Sequence, residues 1–166
     1  MATDKKYILS KEVVGKKLQR MAYEILENNM DEKEIILAGI RESGSVVAKV
    51  IQQMLAEISS IKTELITITL DKNEPTDVSL SGSIDLNGKV IILIDDVSNS
   101  GKTLLYALKP FIEFHPKKIQ ILVLVERTHT SFPVRPDYVG LSMATTLQEH
   151  IFVEVKGEVV IGAYLQ

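Results

Sequence analysis

The chain has 166 residues, enough for one domain that buries a core without disulfide staples, and its 45% hydrophobic and 25% charged composition carries no biased tract that would point to disorder or a fibre. Lys and Arg number 19 against 22 Asp and Glu, a net charge of −3, so no global basic field draws the chain to nucleic acid or an anionic membrane. With no cysteine, disulfides and thiolate metal centres are excluded, which suits a reducing compartment.

No apolar stretch approaches the ~18 residues of a spanning helix, and the polar start MATDKKY lacks a signal peptide's apolar core; a cytoplasmic protein without membrane contact is expected. Ser10 is placed to cap a helix whose apolar residues Val14, Leu18, Met21, Ala22 and Ile25 recur at three- and four-residue spacing as far as Asn28 or Asn29. EIILAG, from Glu34 to Gly39, is a short buried-strand pattern; IRESGS follows, then a helical run with Val46, Val47, Val50, Ile51, Met54, Leu55 and Ile58 on one face. ELITITL, from Glu64 to Leu70, alternates and is β-branched, so it reads as a strand, and the polar stretch after it reads as an irregular excursion. KVIILID is the next strand, Leu104 to Phe114 reads as a helix that Pro110 should kink, and KIQILVLV from Lys118 to Val125 is a further strand, wholly apolar after its polar start. The tail from Arg127 to Gln166 holds strand-like pieces, YVGLSM, IFVEV and VVIGAYL, expected to form an edge strand and a cap.

Apolar strands alternating with helices specify an α/β fold, a central parallel sheet flanked by helices on both faces, with residues 1–166 as a single domain. In such sheets ligands bind beyond the carboxyl ends of the strands, where the loops after Ala38 and after Ile94 both fall.

The second of these loops carries the chemistry. VIILIDDVSNSGKT (Val90–Thr103) ends like a P-loop, but the position that needs its first glycine is Asp96, whose carboxylate would face a triphosphate. A nucleotide triphosphatase is therefore rejected. What remains is a strand ending in Asp95 and Asp96, then Ser98, Asn99, Ser100, Gly101, Lys102 and Thr103 opening a helix. Backbone amides, hydroxyls and one ammonium surround a single phosphate well. Two carboxylates beside it suit vicinal hydroxyls or a hard Mg²⁺ ion. The pattern describes a pocket for a sugar phosphate.

These residues resemble the 5-phosphoribosyl-1-pyrophosphate (PRPP) signature of the type I phosphoribosyltransferases, in which apolar residues precede two acids and a Thr-Gly-Lys/Arg-Thr-like loop. The resemblance implies that Asp95 and Asp96 hold the ribose hydroxyls and Mg²⁺, and that Ser98, Asn99, Ser100, Gly101, Lys102 and Thr103 hold the 5-phosphate. LVERTHTSFPVRPDYVG (Leu124–Gly140) is similar to the matching stretch of pyrimidine operon regulators with uracil phosphoribosyltransferase activity, which implies a base-binding side near Arg127, Tyr138 and Val139. The loop Gly39-Ile40-Arg41-Glu42-Ser43-Gly44 matches the family's diphosphate loop, with Arg41, Glu42, Ser43 and Gly44 as its candidate contacts. There it departs: Ser43 stands for an arginine, and Glu42 adds a negative charge beside a polyanion.

Asn99 stands where purine enzymes carry an acid; an amide accepts no proton at neutral pH, so Asn99 orients or binds instead of acting as a base. After the third strand, only Lys72 is available as a cation for a closing loop. His115, His129 and His150 show no metal-ligand spacing. The pairs Lys5-Lys6, Lys16-Lys17 and Lys117-Lys118 make an RNA strip only if the fold gathers them, so RNA is not favoured. The expected activity is transfer of ribose 5-phosphate from PRPP to a nucleobase, uracil first, in a homodimer or higher homo-oligomer. The alternative is a catalytically weak PRPP- or nucleotide-sensing regulator of the same fold, with RNA binding as in a pyrimidine operon attenuator left open.

Overall fold

The computed structural model describes residues 4–166. A six-stranded sheet forms the centre, built from β2 (Glu34–Ile40), β3 (Lys62–Thr69), β4 (Ser79–Leu80), β5 (Val90–Ser98), β6 (Lys118–Arg127) and β7 (Tyr138–Met143); β1 is Lys6–Leu9. Its order is β4-β3-β2-β5-β6-β7, and every pairing is parallel except that of the short edge strand β4. The chain runs outward from β2 to β3 and then returns to place β5 on β2's other side. The connections leaving β2 and β5 therefore diverge, which opens a crevice between their carboxyl ends.

Period-two alternation divides the sheet's side chains between two cores. Ile35, Leu37, Ile92 and Ile94 face α1 (Lys11–Asn28) and α2 (Ser43–Ile58), while Ile36, Ala38, Ile91 and Leu93 face α3 (Lys102–Ala107) and α4 (Lys109–Ile112). The helix α1 starts as its sequence dictates: Ser10 Oγ accepts from the Val13 amide at 3.3 Å, and Val14, Leu18, Met21, Ala22 and Ile25 are buried. Each large apolar side chain of that face stabilises by roughly 1.5–3 kcal/mol.

Two expectations change. The helix predicted over Leu104–Phe114 breaks at Leu108, and Pro110 sits in the first turn of α4, where its missing N–H removes no helical hydrogen bond. The cap is a second sheet of order β1-β9-β8, in which β8 (Ile151–Lys156) and β9 (Val159–Leu165) form a hairpin and β1 comes from the chain's start. Strand β1 escapes sequence reading because Lys5 and Lys6 hide a four-residue edge strand. The piece YVGLSM becomes β7, the edge of the main sheet, as expected.

Among the described residues, no helix is long and apolar enough to cross a membrane.

Candidate active site

Strand β5 carries its apolar run straight into Asp95, which is completely buried, and Asp96, which is partly open to the crevice. Asp95 Oδ1 accepts from the Asp96 amide at 2.8 Å, and Asp96 Oδ1 from the Val97 amide at 2.8 Å. Lys72 Nζ lies 3.4 Å from Asp95 Oδ1 and 3.6 Å from Asp96 Oδ1. Asp95 Oδ2 is buried without a hydrogen-bond partner. An unsatisfied buried acceptor costs about 1–3 kcal/mol, more when it is charged, so a fold that keeps one holds it for something other than stability. Burial, then the adjacent Asp96, push the pKa of Asp95 well above the ordinary carboxylate range, with Lys72 working in the opposite direction. Partial burial acts to lower the Lys72 pKa, but the two carboxylates together outweigh it and the net shift is upward.

The start of α2 packs directly on this acid. A Cβ at Gly44 would lie 2.8 Å from the Ile94 carbonyl oxygen and 3.0 Å from Asp95 Oδ1, so only glycine lets the helix close over the strand end.

After Ser98 the chain turns through Asn99 and Ser100 to Gly101, whose φ of 87° is left-handed, and then enters α3. Gly101 caps α3 without a side-chain oxygen, while the Lys102 amide donates to Ser100 Oγ at 3.2 Å. The turn is held from behind: the Ser100 carbonyl oxygen accepts from the Ser131 amide at 3.0 Å and the Phe132 amide at 3.1 Å. Residues 131–132 thus fix the loop's shape, a role their sequence gave no sign of.

The resulting crevice has a volume of 340 Å³. It brings together Asp96, the whole run Ser98–Thr103, and Ser43 from the loop after β2. Arg41 and Glu42, joined by a cis peptide bond, face a neighbouring depression that also includes Ser45 and Thr69. Arg127 lies with His129, Asn99 and Ser100 in a third hollow, and its guanidinium donates to the Thr146 carbonyl oxygen.

Tyr138 and Val139, expected on the base side, do not reach the crevice. Tyr138 is buried mid-sheet opposite Leu122 and donates its hydroxyl to Gln120 Oε1 at 2.7 Å, away from the strands' carboxyl ends. The Val139 carbonyl oxygen accepts from Arg20 on α1 at 2.9 Å. In their place the edge strand of the cap, Ile151, Phe152 and Val153 of β8, lines the crevice. Phe152 stacks on Tyr164 with ring centroids 5.4 Å apart, and Tyr164 continues the aromatic row to Tyr7. Sequence reading found β8 as a strand but had no means of telling which strand of the tail the chain would fold back over the site. Lys72, expected only as the cation of a closing loop, reaches both acids, a contact that no local pattern in the sequence signals.

Comparison with known proteins agrees with this layout. The phosphoribosyl transferase domain family matches residues 6–156. The bifunctional protein PyrR of Alkaliphilus metalliredigens (strain QYMF) is 34% identical over 159 residues, covering 90% of this chain and 87% of that protein. The bifunctional protein PyrR of Streptococcus pneumoniae (strain CGSP14) is 33% identical over 156 residues, covering 90% of each. Among solved structures, the hypoxanthine phosphoribosyltransferase of Trypanosoma cruzi superposes with a TM-score of 0.77 at 14% identity, over 95% of this chain and 96% of that one. A hypoxanthine-guanine phosphoribosyltransferase (hpt-2) of Bacillus anthracis gives 0.75 at 19%, over 95% and 96%. At those identities the superpositions speak for the fold alone, but the match over 6–156 and the relatives above 30% decide the family. The chain belongs to the phosphoribosyltransferases of type I fold and is a pentosyltransferase.

Proposed function

We propose that residues 1–166, as a single domain, transfer ribose 5-phosphate from PRPP to a pyrimidine, with uracil the first candidate, and release diphosphate. The observation that carries this reading is the crevice in which Asp96, a phosphate-sized loop and the edge of the cap converge, with the buried Asp95 beside it. Asp95 and Asp96 take the 2- and 3-hydroxyls of the ribose, and the amides and hydroxyls of Ser98 to Thr103, with the Lys102 ammonium, take the 5-phosphate. Ser43 lines the departing diphosphate's side, Gly44 follows it packed against Asp95, and Arg41 approaches from the adjoining depression. Phe152 and its β8 neighbours offer an apolar wall for the base, and Arg127 and Asn99 supply polar contacts on the facing side.

The residues present fit Mg²⁺ bound chiefly by its substrate. Asp95 Oδ2 is an unpartnered oxygen beside Asp96, and among the described residues no group of three potential ligands forms a cage of its own. An ion held by one or two carboxylates, phosphate oxygens and water is the usual arrangement for Mg²⁺. When bound it would neutralise charge on the leaving diphosphate.

In the reaction the C1–O bond to diphosphate breaks and a bond from C1 to a ring nitrogen forms, while the base's N–H proton goes to water or diphosphate. Asn99 cannot take that proton, which separates this chain from purine enzymes with an acid at that position and supports a pyrimidine. The carboxylates beside the ribose would offset positive charge gathering on the ring as the bond breaks.

Incubation with PRPP, Mg²⁺ and each common base tests the reading: uridine monophosphate formed faster than any purine nucleotide is expected, and no nucleotide from any base contradicts it. A regulator that binds nucleotide with little turnover is the second reading, favoured by Glu42 and Ser43 in the diphosphate loop; tight uridine monophosphate binding without turnover would select it. RNA binding belongs to this second reading; of the lysine pairs, Lys5, Lys16 and Lys117 form exposed ion pairs with Glu154, Glu12 and Glu32, and Lys118 donates to the Asn28 carbonyl oxygen.

A further inference from the structure

Among the described residues, the one ammonium paired with Asp95 and Asp96 comes from outside the motif. Lys72 stands just beyond the end of β3, on the stretch that leads to β4, and reaches across the crevice to Asp95 Oδ1 at 3.4 Å and Asp96 Oδ1 at 3.6 Å. Its side chain is 45% exposed, against 1% for Asp95, so the ammonium has an open way out while the acid beneath it has none. Lys102 also lines the crevice, yet among the described residues it pairs with neither acid.

We propose that Lys72 is the resident counter-cation of Asp95 and Asp96 when no ligand is bound, and that the Lys72 ammonium and a divalent metal ion hold this pair in turn, never together. This rests on reading the crevice as the ribosyl site. A hard divalent ion sits at about 2.0–2.1 Å from its oxygen ligands and keeps a shell of water around it. An ammonium 3.4–3.6 Å from the same two oxygens occupies that shell, and two cations so close repel strongly in a half-buried site. The lysine, with its solvent-side exit and flexible stem, is the one that yields. Once displaced, it remains on the rim that Ser43 shares, the side toward which the diphosphate projects, so the same charge passes from the acids to the polyanion. The lysine keeps the acids from binding metal until a ligand carrying both phosphate and metal arrives.

Titration of the intact chain with Mn²⁺ alone, following free Mn²⁺ by electron paramagnetic resonance, tests this on the native protein, Lys72→Met, Lys72→Arg and Lys102→Met, each first shown by circular dichroism to melt cooperatively. Lys72→Met is expected to bind Mn²⁺ at least about tenfold more tightly than the native chain, with Lys72→Arg and Lys102→Met within about threefold of it. An unchanged affinity in Lys72→Met, or an equal gain in Lys102→Met from mere loss of charge, overturns the proposal. Ribose 5-phosphate is titrated into the native protein, Lys72→Met and Lys72→Arg: binding in all three while Mn²⁺ affinity stays flat defeats the role of Lys72 alone, and binding in none defeats the ribosyl reading as well.

Discussion

Asp95 and Asp96 adjoin in sequence but differ in what they cost. Asp96 is partly open to the crevice, so Asp96→Asn should leave the fold intact while removing a charge-assisted contact worth ~1.5–3 kcal/mol. Calorimetry should then show PRPP affinity in Mg²⁺ falling about 10- to 100-fold with the melting temperature unchanged. An unaltered dissociation constant would remove Asp96 from the site. Asp95 is the buried one. Its pKa is raised first by burial and then by Asp96, so the folded state holds its proton more firmly than the unfolded chain does. Such a group stabilises fully below its unfolded pKa, and that contribution is lost as pH rises through the higher folded value. Asp95→Asn is accordingly expected to raise Tm by about 2–4 °C at about pH 8, equivalent to about 1 kcal/mol in a chain this size, with the gain shrinking as pH falls toward the ordinary carboxylate range. Thermal melts across pH check this; a Tm lowered at alkaline pH would show Asp95 to be a structural acid. That these two acids close an apolar strand at the sheet's carboxyl edge was legible in the sequence, where the apolar run passes straight into them. That one of them would be buried, with Gly44 packed on one side and Lys72 reaching it on the other, was not, since both partners come from far earlier in the chain.

At the scale of elements, the turn from β5 into α3 and the edge strand β8 do different work. Gly101 adopts a left-handed conformation that costs a residue with a Cβ roughly 1–2 kcal/mol. Gly101→Ala should therefore lower Tm modestly and weaken ribose 5-phosphate binding more than that strain alone predicts, because the turn also positions Ser98 to Thr103; titration beside a thermal melt separates the two effects. Strand β8 presents Phe152 to the crevice. Stacking of a base on an aromatic ring is worth about 1–3 kcal/mol, so Phe152→Ala should raise KM for the base about tenfold and leave KM for PRPP nearly unchanged. Equal effects on both would mean that the strand only shapes the crevice. Sequence pattern revealed β2, β5 and β6 because strands covered on both faces read as unbroken apolar runs, and β3 by its β-branched alternation. The resemblance to the operon regulators implied a base side near Arg127, Tyr138 and Val139, of which the last two lie on β7. Local pattern identifies strands, but which strand ends up above the site is decided by the two sheets' packing, and that is carried by no single stretch.

The molecule as a whole places its chemistry at a topological switch. Strands β2 and β5 lie side by side, their outgoing connections part, and both loops with anion-binding character sit at that parting. That both loops fall at the strands' carboxyl edge was legible in the sequence; that β2 and β5 lie side by side was not, because no single stretch states the strand order. The cap followed only in outline, because it joins both ends of the chain: β1 pairs with β9, with Lys6 opposite Leu165, across nearly the full length of the sequence. Its aromatic row and the Lys5–Glu154 pair tie those ends over the crevice. The proposed homo-oligomer belongs to this scale too, and sedimentation of the purified chain should show a species of at least twice the monomer mass.

The ribosyl crevice is tested most directly by a crystal structure of the protein with ribose 5-phosphate. The phosphoryl group is predicted to lie within hydrogen-bonding distance of the turn from Asn99 to Thr103, with both ring hydroxyls against Asp95 and Asp96 and the Lys72 side chain in place or swung toward solvent. A ligand found instead in the depression beside Arg41 and Thr69, or a crevice that stays empty at saturating ligand, would contradict the account.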